Sequence, residues 1–212
     1  MTVPDVVHVS ADKQRALTRL LQAVLGLILL YGLLTLQFGM ASNGAFGLAL
    51  TLVPAAIRRE YDYTMSPVLV LWITIAVSLH SVGALGPYES VPWYDSVTHT
   101  LSGTVAGGLG YATFHGFERH SEELTVPARF RPVFIFVFVL AISVIWELIE
   151  FASGILPTLV GIDAPLVVYG VDDIVTDMLF NTLGAVVLSA GASGYFKSLG
   201  GFFRRRFDSR SS

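Results

Sequence analysis

Long apolar stretches alternate with short polar ones along this chain. Six of them approach the ~20 residues that a helix needs to cross ~30 Å of hydrocarbon. They cover about 16–38, 40–57, 67–86, 93–115, 131–153 and 174–196. The pattern predicts an all-α, polytopic membrane helix bundle with six transmembrane helices, forming one integral membrane domain over 1–212. The second stretch is the shortest, and "GMASNG" joins it closely to the first. Pro67 and Pro132 stand near helix starts, where a missing N–H is harmless. The 154–172 connection is apolar but broken by Pro157, Pro165 and glycines, which predicts an interfacial or re-entrant segment.

Composition agrees with the pattern. The 212 residues are 53% hydrophobic and 14% charged, with a mean hydropathy of +0.66. Soluble domains carry about a quarter charged residues. The first apolar stretch is too long for a cleavable signal and no A-x-A site follows it, so it reads as a retained helix. No repeat or low-complexity tract appears. There is no cysteine, which excludes disulfides and thiolate metal sites.

Charge placement orients the spans. All 13 Lys and Arg residues fall in 1–19, 58–66, 116–131 or the C-terminal tail, and the alternate connections contain none. The positive-inside rule then puts both termini in the cytoplasm of a cell-membrane protein. An odd number of spans breaks this alternation. The acids divide otherwise: eight of 16 lie toward the outer side, namely Glu89, Asp95, Glu147, Glu150, Asp163, Asp172, Asp173 and Asp177. They have no Lys or Arg beside them.

These acids gather near the outer ends of four spans. His80 ends the third span, and "WYDSVTHTLSG" opens the fourth with Asp95 and His99 on one helical face. "VIWELIEF" places Glu147 and Glu150 at the end of the fifth. "VYGVDDIVTDMLFN" opens the sixth with Asp173, Asp177 and Asn181 spaced four apart. Below them the fourth span turns small at Gly103, Gly107 and Gly110, and the sixth at Ala185, Ser189 and Ala192. That pattern predicts close backbone packing of the two helices.

Ionisable residues inside a membrane are functional candidates by default. Asp95, Asp172 and Asp173 also suit helix N-terminal capping, and His80 suits a hydrogen-bonded helix-end histidine. Asp177 lies too deep to cap. Glu147 and Glu150, at a helix end that disfavours anions, require a proton, a histidine or a cation. Oxygen ligands with imidazole suit Mg²⁺, Mn²⁺, Fe²⁺ or Zn²⁺. The candidate metal set is Asp95, His99, Glu147, Glu150, Asp173, Asp177 and Asn181, and the candidate catalytic set is His99, Asp95 and Glu147.

Other features are blander. "HGFERHSEE" (115–123) reads as a solvated cytoplasmic turn. "FFRRRF" (202–207) reads as a juxtamembrane basic run against anionic headgroups. Tyr88, Trp93 and Tyr94 suit an outer aromatic belt. No nucleotide loop, nucleophile elbow or redox motif is present, and no nucleic-acid partner is expected.

"YDSVTHTLSG", "WELIEF" and "DDIVTDMLFNTLGA" resemble the motifs of the YjdF-type inner-membrane family of unknown function. In the general form D-x-x-x-H, a helix-end Glu, then D-x-x-x-N-x-x-G, they are similar to the VanZ-like membrane proteins. The resemblance covers residues 67–196 and carries over Asp95, His99, Glu147, Asp177, Asn181 and Gly184. Ser96 stands where VanZ-like proteins typically have a lysine. The resemblance implies a multi-span membrane protein of the cell envelope and no established reaction.

Three functions compete. One is a metal-dependent enzyme, or a ligand-binding cup, for a lipid or lipid-linked headgroup at the outer leaflet. The second is a scaffold or sensor with a structural cation. A cation or proton transporter ranks third, because the inner halves of the spans lack polar groups. The topology is testable, since single-cysteine variants start from a cysteine-free background. Cysteines replacing Glu89 or Asp163 should react with an impermeant thiol reagent on intact cells. Those replacing Arg58, His120 or Ser209 should not, and external labelling of Ser209→Cys would overturn the six-span topology.

Overall fold

The computed structural model describes residues 9–120, 127, 129–158, 170–191 and 196–211. Most of the 154–172 connection, including Asp163 and Pro165, lies outside the described residues, as do Glu122, Glu123 and Ala192. Among the described residues there are eight helices and no strand: α1 (Ala11–Leu34), α2 (Phe38–Tyr61), α3 (Pro67–Gly83), α4 (Pro87–Ser90), α5 (Tyr94–His120), α6 (Phe130–Thr158), α7 (Val171–Gly191) and α8 (Lys197–Ser211).

α1, α2 and α6 are long and apolar enough to cross a membrane, and α3 is a shorter apolar helix. The second stretch is therefore not a short one: α2 extends beyond it at both ends, to 24 residues. The α1–α2 hairpin is close because Gly32 meets the backbone of Ala41 and Gly44 that of Leu29. α1 turns Leu20, Leu27 and Leu34 outward, with 60%, 63% and 75% of their surface exposed. Such a face is untenable in water and suits lipid.

Contacts along the helices give their directions. Asn43 Nδ2 donates to the Ser81 carbonyl at 2.9 Å, and Tyr94 Oη to that of Leu79 at 3.0 Å. Gly110 meets Phe138, whereas Gly103 meets Asn181 and Gly107 meets Ala185. α2 thus runs against α3, α3 against α5, and α5 against α6, while α7 runs parallel to α5. α5 and α7 are the most extensively packed pair.

Buried residues divide by position along the bundle. Apolar ones, including Leu69, Tyr111, Val139, Leu188, Phe196 and Leu199, form one cluster toward the C-terminal half of α5. The buried ionisable groups His99, Glu147 and Asp177, with Asn181 beside them, lie toward its N-terminal half. Two of the buried hydroxyls are satisfied within their own helices: Thr98 Oγ1 donates to the Tyr94 carbonyl at 2.9 Å, and Thr74 Oγ1 to that of Val70 at 2.8 Å. In hydrocarbon an unmade hydrogen bond costs several kcal/mol.

Two expectations need correction, and the basic tail gains a structure. α6 runs on to Thr158, so Glu147 and Glu150 lie well inside a helix rather than at its end. The dipole argument for them fails, because the apolar pattern of Phe151–Ile155 carries the helix onward. The start of "HGFERHSEE" is helical as far as His120, and Glu118 meets Arg131 Nη2 at 3.2 Å. The basic tail forms α8. Phe196, Leu199, Phe203 and Phe207 recur at helical spacing there, and Phe203 and Phe207 pack beside Gly116. Arg204, Arg205 and Arg206 stay exposed.

Of the expected small-residue stripe, Gly103 and Gly107 face α7 while Gly110 faces α6. Ser189 is exposed. A Cβ on Gly107 would lie 3.1 Å from Ala185 Cα, whereas one on Gly26 meets nothing within 4 Å. Gly107→Leu should therefore force α5 from α7 and cost about 1–3 kcal/mol by overpacking. The measurement is thermal melting in detergent, with Gly26→Leu as the neutral control. Equal melting temperatures for the two variants would contradict this helix register.

Candidate functional site: a buried carboxylate–imidazole group

The site is built where two parallel helices touch. Gly170, at φ +129°, makes the left-handed step before α7. Asp172 and Asp173 then occupy the first turn, where anions suit the helix dipole. One turn deeper, Asp177 faces α5. On α5, Asp95 in the first turn and His99 share a face. Immediately below, a Cβ on Gly103 would overlap the Asn181 backbone, and one on Gly184 would overlap the Thr100 carbonyl. The helices approach so closely here that their side chains one turn higher must converge.

Asp95, His99 and Asp177 each offer one ligand atom, all within 4.8 Å of one another. His99 Nε2 lies 3.3 Å from Asp95 Oδ1 and 3.5 Å from Asp177 Oδ1. On the other side of the ring, Asn181 Nδ2 lies 3.3 Å from His99 Nδ1. His99, Asp177 and Asn181 are only 3%, 2% and 6% exposed. The carboxamide can present either N–H or C=O to the ring, so it suits either imidazole tautomer. With Nδ1–H donating to the amide oxygen, Nε2 is free to ligate a cation, the arrangement that outer-shell partners give metal-binding histidines.

The electrostatic problem is plain. Two carboxylates within 4.8 Å of each other repel by about 3 kcal/mol or more at an effective dielectric of ~20. No Lys or Arg is paired with them among the described residues; the arginine ion pairs there join Arg15 to Asp12 and Arg131 to Glu118. Asp177 Oδ1 has no hydrogen-bond partner. Nor does either oxygen of Glu147, a side chain only 6% exposed on α6. A buried carboxylate in that state needs a proton or a positive charge.

The seven expected ligands thus separate. Asp95, His99 and Asp177 come together, and Asn181 orients the imidazole. Glu147, Glu150 and Asp173 stand outside that mutual distance, with Glu147 within electrostatic reach of His99 and Asp95. His80 stands beside the group, its ring centroid 5.0 Å from that of His99. Both its nitrogens are engaged, Nδ1 with Tyr88 Oη at 2.8 Å and Nε2 with Ser102 Oγ at 2.9 Å. Burial raises the Tyr88 hydroxyl well above the ordinary phenol range, so Tyr88 meets His80 as a neutral hydroxyl. Ser102 was missed in the sequence, although its place three residues after His99 on α5 puts it near that face.

Fold and site together define an α-helical membrane protein with a carboxylate–imidazole group buried between two helices. The family described as predicted membrane protein (DUF2238) matches residues 16–198. The chain belongs to this family, in agreement with its resemblance to YjdF-type proteins of unknown function. No curated protein and no solved structure matches it.

Proposed function

We propose that this protein spans the cell membrane six times, with both termini in the cytoplasm, and holds a divalent cation at Asp95, His99 and Asp177 in the outer half of the bilayer. The observation behind this reading is that two carboxylates from different helices converge on one imidazole, with Asp177 Oδ1 buried and without a hydrogen-bond partner. The alternating directions of α1, α2, α3, α5, α6 and α7 support the six spans, and the Lys and Arg placement supports the orientation. Three protein ligands leave coordination positions open, as in catalytic metal sites. The imidazole favours Zn²⁺ over Mg²⁺, and the two carboxylates also suit Mn²⁺.

The ligand class is the polar head of a lipid or lipid-linked molecule at the outer leaflet. A cation there would polarise a phosphoryl or carbonyl oxygen, or activate a water, and Glu147 would be the group to take the proton. With Nε2 on the cation, His99 is a ligand and not the base. A structural reading has its own support, since the same three residues clamp α5 to α7 just above Gly103. Metal-dependent turnover of a phospholipid or polyprenyl phosphate separates the two readings.

The cation itself is tested by thermal melting of chelator-treated protein. Adding Zn²⁺ or Mn²⁺ should raise stability as RT ln(1 + [L]/Kd), about 2.7 kcal/mol at 100-fold excess over Kd. Asp177→Asn should abolish the response. A flat response of the wild-type protein to Mg²⁺, Mn²⁺ and Zn²⁺ would contradict the proposal and leave a protonated, hydrogen-bonded polar core.

A further inference from the structure

A cavity of about 400 Å³ adjoins the site, within the ~300–1,000 Å³ typical of small-molecule pockets. One end is polar, formed by His80, His99, Ser102 and Asn181. The rest is mainly apolar, walled by Leu50 of α2, Ile73 of α3, Val105 and Leu109 of α5, and Ile145 of α6, with Asn43, Ser81 and Ser143 the further polar side chains on its lining. Leu109 lies ten residues beyond His99 on α5, about 15 Å at ~1.5 Å per residue. That is half of a ~30 Å hydrocarbon core, so the slot runs from the level of the site toward the bilayer centre.

Its side is open. α2 and α6 are not packed along one another, and Phe46 and Trp146 face each other across the gap with ring centroids 6.1 Å apart. Ile145 and Ile149 line the slot yet remain 52% and 40% exposed. Apolar walls do not hold water well, and the medium around an exposed helix face in a membrane protein is hydrocarbon. A mainly apolar body and a head end with two imidazoles and a carboxamide match one molecular shape, an amphiphile.

We propose that this cavity receives the hydrocarbon chain of a lipid-derived amphiphile, entering between α2 and α6, with its polar head against His80, His99 and Asn181. The location of the head rests on the cation-site reading, while the chain slot depends on the cavity alone. The head end delivers a phosphate or carboxylate beside the proposed cation, and the slot fixes which end of the molecule arrives there.

The test uses full-length protein in nanodiscs with a long-chain fatty acid carrying a diazirine at its chain end. After photolysis, peptide mapping should place label near Leu109 and Ile145 more densely than on the exposed α1 face at Leu20 and Leu27. Val105→Trp should reduce the cavity label several-fold and leave the α1 label unchanged. Leu50→Trp, from the opposite wall, should act alike, and elution volume and helical circular dichroism decide whether each variant is folded. Asp177→Asn should retain the label while losing the metal response, so failure of the cation reading leaves this one standing. Cavity label no denser than that on α1, or undiminished in a folded tryptophan variant, would overturn the proposal.

Discussion

The contact between α5 and α7 at Gly103 and Gly184 sets the spacing on which the site depends. Backbone meets backbone there, and a single added Cβ on either helix would overlap the other. With two parallel helices held that close, residues one turn above have no room to diverge. Asp95, His99 and Asp177 therefore meet whether or not anything binds them. The arrangement is preorganised by packing, and its charge must be compensated at a position that packing has chosen.

The bundle divides its labour along its length. Toward the C-terminal half of α5, Tyr111, Val139, Leu188, Phe196 and Leu199 make an apolar core, and α8 extends that core along α5. Those contacts hold the helices in place without polar groups. Toward the N-terminal half, burial falls on His99, Glu147, Asp177 and Asn181, groups that destabilise a fold unless paired. A protein that keeps its stabilising contacts at one end can place buried carboxylates at the other, and the slot lies beside that polar end.

Much of this was legible in the sequence. The D-x-x-x-H of α5 and the D-x-x-x-N of α7 each put two functional groups on one helical face, and the small residues beneath announced which faces would touch. Parallel direction followed from the alternation of charged connections. The role of Glu147 was misread, because a helix end was inferred from Pro157 and the glycines while the apolar pattern carried α6 through to Thr158. α8 was hidden by its arginines, although Phe196, Leu199, Phe203 and Phe207 recur at helical spacing. The slot could not be read at all. It depends on the separation of α2 and α6, a tertiary distance that no local spacing encodes, and so does the pairing of His80 with Tyr88 and Ser102.

The central claim is that Asp95, His99 and Asp177 share a cation. Anomalous diffraction from crystals of the full-length protein grown with Zn²⁺ tests it most directly, because it locates the metal without reference to activity or stability. A shared cation gives a single strong peak between α5 and α7, with His99 Nε2 at ~2.0–2.1 Å and carboxylate oxygens of Asp95 and Asp177 at ~2.0–2.2 Å. Well-ordered α5 and α7 without a peak between them, or with zinc only at surface histidines, would contradict it.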